Sequence, residues 1–207
     1  MTARSAGRSR QVFNQPNRLQ LRVFAEGKQT ESIYLTNWHR LHRDKVIVSI
    51  APHEHTTPFE LAELAASERR SDQRQAKRGR GSAFNQYWCM FDVDEHPKVS
   101  EALDLARANS INIALSSPCL ELWFLIHFDQ QTAHLHRSDA QRKSRDLLGC
   151  DKVLSQVALD LLTSKYDTAK RHAQALAVKH LGDGSSKPWN PYSDVWELID
   201  VIRTGNP

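Results

Sequence analysis

Residues 19–35, LQLRVFAEGKQTESIYL, pass from an apolar, strand-like segment through a glutamate and a glycine into a helical pattern. Leu19–Ala25 is apolar and rich in strand-forming positions, so it reads as a strand with Glu26 at its C-terminal mouth. Thr30 is placed to cap a helix running to about Leu41. The stretch Tyr87–Glu95, YWCMFDVDE, repeats the arrangement: an aromatic, β-prone run brings Asp92 and Asp94 to a strand end, with Val93 between them facing the other way. Three carboxylates delivered by two strand ends repel one another unless a divalent cation sits among them. Metal-assisted chemistry is the first expectation.

Outward from these segments, strand-like runs at Lys45–Ile50, Gln86–Phe91 and Ile111–Leu115 alternate with helical stretches. That pattern predicts an α/β fold, a mostly parallel sheet flanked by helices. Pro58–Ser67 and Pro97–Ala108 read as helices, and Ser117 with Pro118 reads as the N-cap and first position of another, which carries Glu121. Glu68–Ser82, ERRSDQRQAKRGRGS, holds almost no apolar residue and closes on glycines, so it reads as a loop or a polar helix extension rather than core, and a flexible basic loop is expected. Beyond Ser138 the pattern is helical: Ala140–Leu148, Asp151 to about Thr163 and on through His180, then Tyr192–Ile202. The organisation expected is a basic tail (1–16), an α/β domain (17–136) and a helical C-terminal extension (137–207), with Gly182–Pro191 as a loop.

With 40% hydrophobic and 25% charged residues among 207, the chain can build one well-packed core, and wholesale disorder is excluded. No run of ~18 apolar residues and no apolar signal core occur, so a cytoplasmic protein without membrane contact is expected. Cys89, Cys119 and Cys150 show no CxxC spacing and read as reduced, mostly buried thiols. The net charge is only +4, but the cations cluster. Arg4, Arg8 and Arg10 lie in the tail; Arg69, Arg70, Arg74, Lys77, Arg78 and Arg80 form a candidate phosphate-backbone footprint, or simply a solvated loop. Lys28 either meets a phosphate at the following helix N-terminus or is simply a surface lysine.

Glu121 stands among Leu120, Leu122, Trp123 and Phe124, where a carboxylate is expensive unless paired; it is either an extra metal ligand or general base, or an acid favoured by the helix dipole. Glu31, in the first turn of its helix, fits the dipole role better than a ligand role. His127 reads as a structural histidine and Trp189 as a loop-packing tryptophan. The pairs His53/His55 and His134/His136 lack the further ligands that zinc needs.

The segments FAEGKQTESIYL (24–35), FDVDEH (91–96), SSPCLELWFLIHF (116–128) and NPYSDVWELI (190–199) resemble, in order and spacing, the motifs of the RloB-like proteins, a bacterial group associated with restriction-modification loci and abortive-infection phage defence. The resemblance implies a Toprim-like fold in which Glu26 takes the place of the strand-end glutamate and Asp92 and Asp94 the DxD positions, together binding Mg2+ (or Mn2+) for phosphodiester chemistry. Glu95, His96 and Pro97 follow the DxD where many Toprim proteins have a glycine, which makes a topoisomerase or primase role a poor fit.

A nuclease effector is the simplest implication, with an ABC- or AAA-type ATPase encoded nearby as partner, since no GxxxxGK[ST] occurs in this chain. Growth arrest by abortive infection favours host RNA, such as tRNA, over DNA as substrate. Two rivals stay open: a non-catalytic nucleic-acid- or partner-binding module, and a site acting on small phosphate compounds. The apolar stretch Val153–Leu162 either finishes the core or forms a homodimer interface.

Overall fold

The computed structural model describes residues 18–52, 57–93, 96, 98–185 and 188–206. The elements follow in the order β1 (Leu19–Ala25), α1 (Thr30–Leu41), β2 (Val46–Ile50), α2 (Pro58–Lys77), β3 (Gln86–Asp92), α3 (Val99–Ala108), β4 (Asn112–Ser117), α4 (Leu120–Leu125), α5 (Arg137–Leu148), α6 (Gln156–Ser164), α7 (Tyr166–Gly182), β5 (Tyr192–Ser193) and α8 (Val195–Thr204). The strands form one sheet in the order β2-β1-β3-β4-β5, parallel except for β5. The expected α/β architecture is therefore the one observed.

Both faces of the sheet are covered, which explains why β3 reads as an almost unbroken apolar run. Leu21, Val23, Ala25, Trp88, Met90 and Ala114 enter one core with Leu35 and Trp38 of α1, Trp123 of α4, Leu162 of α6, Tyr166 of α7 and Ile199 of α8. The alternate residues Phe24, Tyr87, Cys89, Phe91 and Leu115 meet Leu61 and Ala65 of α2 and Val99 and Ala106 of α3 on the other face. Asp92 shares the parity of Trp88 and Met90 and so belongs to the α1/α4 side. The chain leaves β1 for β2 on one side and returns past it to β3 on the other. The strand order thus reverses between β1 and β3, whose carboxyl ends open a crevice of the kind that binds ligands in open α/β sheets.

Several local expectations are corrected. The segment 68–82 is not a loop at its start: α2 continues to Lys77, and only Arg78 onward leaves the helix. Its residues are good helix formers, and a helix with solvent on most sides needs no apolar stripe. Thr57, not the helix interior, sets the start, through a capping box in which its N–H donates to Glu60 Oε2 at 2.8 Å. Thr30 does not cap α1; Gln29 holds that position, and the Thr30 hydroxyl donates to the Lys152 carbonyl at 2.9 Å.

Ser117 belongs to β4, the Ser117–Pro118 bond is cis, and Cys119 occupies the N-cap of α4. The helix expected from Asp151 begins only after Ser155, whose hydroxyl accepts from the Ala158 N–H at 3.2 Å. Within 153–162, Ala158, Leu159 and Leu162 finish the core while Val153 and Val157 remain exposed. Tyr192 and Ser193 form a short strand before α8 rather than its first turn. The C-terminal third thus supplies a strand as well as helices, and its helices share one core with the sheet.

Candidate active site

Strand register determines which acids can meet. Ala25 of β1 pairs with Met90 of β3, and the Glu26 N–H continues the ladder by donating to the Met90 carbonyl at 2.9 Å. Glu26 and Asp92 therefore emerge side by side where β1 and β3 end. The Glu26 carboxylate bridges back to β3, accepting from the Asp92 N–H at 3.2 Å, while its other oxygen lies 3.1 Å from His96 Nε2. Helix α1 brings Glu31 over the same spot, and α4 brings Glu121. These four acids line a cleft of about 620 Å3, with Lys28, His96, Arg137 and Lys152 also in its wall.

The electrostatics record the crowding. Asp92 is buried, and burial pushes its carboxyl well above the usual range; the charges of Glu31, Glu26 and Glu121 push it further, with the Arg137 guanidinium acting against them. Arg137 Nη2 stands 3.7 Å from Asp92 Oδ2. Burial also raises Glu31, as do Glu121 and Glu26, while hydrogen bonds from its own N–H and that of Gly27 lower it. The Cys119 thiol is raised by burial and by the nearby Glu121 and Asp92.

Gly27 serves this geometry by its lack of a side chain. It is not one of the positive-φ glycines, and what it provides is close approach: a Cβ there would lie 1.9 Å from Glu31 Oε2. The glycine admits the Glu31 carboxylate against the backbone.

The expected site residues thus divide. Glu26, Asp92 and Glu121 are brought together, and Lys28 is exposed on the rim of the same cleft. Asp94 lies outside the described residues, as do His53 and His55. Arg69, Arg70, Arg74, Lys77, Arg78 and Arg80 do not line the cleft; they lie on and just beyond the far part of α2, whose N-cap Thr57 does. Glu31 was the acid missed: the dipole role assigned to it is only part of its position. The close spacing to Glu26 and the intervening glycine were its signal.

Arg137 and Lys152 carried none, because 45 residues or more separate them from Asp92 in sequence and only the tertiary fold joins them. His127 is structural as expected. It is fully buried, with Nδ1 2.8 Å from the Trp123 carbonyl oxygen, and burial pushes it down to about 3. Trp189 packs in its loop, stacked on His180 with its indole N–H on the Ser185 carbonyl.

Carboxylate oxygens are the donors that Mg2+, Mn2+ and Ca2+ prefer, and four acids crowded closely enough to push Asp92 and Glu31 up leave local negative charge that a divalent cation would offset. Among the described residues no three His, Cys, Asp or Glu side chains stand together as a complete ligand set. A hard cation bound through one or two carboxylates and several waters does not need one.

The family model of the RloB-like protein matches residues 21–202, a span that contains the four acids and both Arg137 and Lys152. No curated protein matches the chain significantly. Among the described residues no helix is long and apolar enough to cross a membrane.

Proposed function

The chain belongs to the RloB-like protein family, and from that membership and the cleft geometry we propose that it is a metal-dependent phosphodiesterase, a Toprim-type nuclease effector of bacterial phage defence. The observation that carries this reading is the convergence of Glu26, Glu31, Asp92 and Glu121 on one cleft at the reversal point of a parallel sheet. Glu26, Asp92 and Glu31 would hold a Mg2+ or Mn2+ ion, with Asp94 the further candidate from the DxD. When bound, the ion offsets charge on the scissile phosphate and makes an attacking water more acidic. Glu121, half-buried on the wall of the cleft, would accept a proton from that water. His96 steadies the Glu26 carboxylate.

RNA, tRNA included, is the preferred substrate over DNA, and an ABC- or AAA-type ATPase is the partner that releases the effector. The basic residues of α2 hold the polymer away from the reaction centre.

The test is incubation of purified protein with total tRNA, ribosomal RNA and plasmid DNA in Mg2+ or Mn2+, beside Asp92→Asn. Cleavage that needs metal and disappears in the variant supports the proposal and identifies the polymer. Intact substrates in every lane, together with no metal-induced thermal stabilisation, would sink it. The separation of the basic helix from the acids favours one rival, a binding module without chemistry. That rival requires nucleic-acid binding indifferent to both metal and Asp92→Asn.

A further inference from the structure

The wall of the cleft opposite the acids comes from the last third of the chain. Arg137 opens α5, Gln141 follows one turn later, and Lys152 lies in the segment between α5 and α6; all three line the cleft. That segment is tied down where it matters, by the Thr30 hydroxyl on the Lys152 carbonyl across 122 residues of sequence. The cleft is therefore two-sided in charge. Acids from β1, α1, β3 and α4 face Arg137 and Lys152, with Lys28 at the rim.

Arg137 reaches the acid centre, with its guanidinium 3.7 Å from the Asp92 carboxylate. Its side chain is 43% exposed while that of Asp92 is 12% exposed, so the guanidinium spans the boundary between the buried acids and the open cleft. A planar guanidinium with several N–H donors can hold a phosphate through two parallel hydrogen bonds while still facing a carboxylate.

We propose that Arg137 is the phosphate-binding arginine of this cleft, resting on Asp92 in the metal-free protein and turning to a substrate phosphodiester once a divalent cation takes over Asp92. The inference rests on the metal site of the preceding subsection and adds to it a residue of opposite charge that faces Asp92 first and the phosphate afterwards. In the resting arrangement the guanidinium and the cation compete for the same carboxylate. In the loaded arrangement the cation and the guanidinium hold the same phosphate from two sides. Arg137 therefore weakens metal binding and strengthens phosphate binding, a pair of opposite effects that a merely structural arginine does not produce.

The experiment uses the full chain, as wild type, Arg137→Gln and Arg137→Lys, each checked by thermal unfolding. Mn2+ binding is measured by calorimetry, and the 31P line broadening of the dinucleotide UpU, which contains one phosphodiester, is then measured against the Mn2+-loaded proteins. Arg137→Gln is expected to bind Mn2+ several-fold tighter than wild type and to lose the broadening. Arg137→Lys keeps near wild-type Mn2+ affinity but loses several-fold in broadening, because an ammonium cannot form the fork; this variant carries the test if the glutamine variant does not fold. Unchanged or weaker Mn2+ binding in Arg137→Gln, or undiminished broadening in the variants, overturns the inference while leaving the metal site in place. Absence of Mn2+ binding in the wild type overturns both.

Discussion

A carboxylate resting against the Cα of a glycine leaves no room for even one methyl group, and Gly27 beside Glu31 is such a place. The atoms a Cβ would strike are the far end of a flexible side chain, so Gly27→Ala is expected to move the Glu31 carboxylate rather than break the fold. Its unfolding free energy should change by no more than about 1 kcal/mol, while Mn2+ affinity falls at least several-fold; calorimetry and a urea melt separate the two. Asp92 makes the converse point. Asp92 and Glu31 titrate above their ordinary values of 3.8 and 4.5, so the folded chain keeps protons that the unfolded chain has released. Stability of the metal-free protein therefore falls as pH rises from those values through the raised ones, and the loss persists at neutral pH. Asp92→Asn removes one of the crowded charges. It should stabilise the metal-free protein at pH 7 by on the order of 1 kcal/mol, about 2–4 °C for a chain of this size, and the proposed metal site predicts that Mg2+ raises the melting temperature of the wild type but not of this variant. A melting temperature lower than wild type at pH 7 without metal would contradict this account of the acids.

Elements with a strong apolar rhythm were legible from residues alone. Strand β1 matched its expected bounds, and the β1–Glu26 and β3–Asp92 junctions, half of the acid cluster, came directly from two apolar runs ending in acid. Elements that lack such rhythm were not. The second half of α2 carries Arg70, Arg74 and Lys77 on a solvent face, and a polar helix offers no periodicity to distinguish it from a loop. Strand β5 has two residues, too few for alternation, and the apolar spacing of the following helix absorbed it. What holds β5 is a side chain: Asp194 Oδ1 accepts from the Leu115 N–H at 2.6 Å, and the Asp194 N–H donates to the Leu115 carbonyl at 3.1 Å. Asp194→Ala leaves the buried Leu115 N–H without that acceptor and should cost about 1–3 kcal/mol in a urea melt. A change within about 0.5 kcal/mol would mean that the edge is held by α8 alone.

Across the whole molecule the acids and the densest cations occupy different places. Thr57 lines the cleft, and Arg70 to Lys77 lie roughly 20–30 Å away along the α2 axis at about 1.5 Å per residue. At about 3.4 Å per base pair that interval is roughly six to nine base pairs, enough for a polymer to touch both. Replacing Arg70, Arg74 and Lys77 together by alanine preserves helix propensity. It should flatten the dependence of log Kd on log salt for nucleic-acid binding by about 2, since each neutralised phosphate contributes about 0.7–0.9. Filter binding across a salt series decides it, and an unchanged slope would remove the helix from the interface. The distance between the two clusters was invisible in sequence because the expected loop would have allowed the cations to fold back over the acids.

The two-residue strand β5 also orders events in time. It pairs with Ser116 and Ser117 only once residues 192–193 have been made, and the wall bearing Arg137 and Lys152 is fastened through Thr30 across 122 residues of sequence. A ribosome that has synthesised as far as Asp92 has already made Glu26, Glu31 and Asp92, yet the growing chain still lacks the opposite wall and the sheet's last edge. Contacts this distant in sequence close late. A cleft assembled in that order has only its acidic side in interrupted translation products, and it gains Arg137 and Lys152 opposite the acids once those residues have been made.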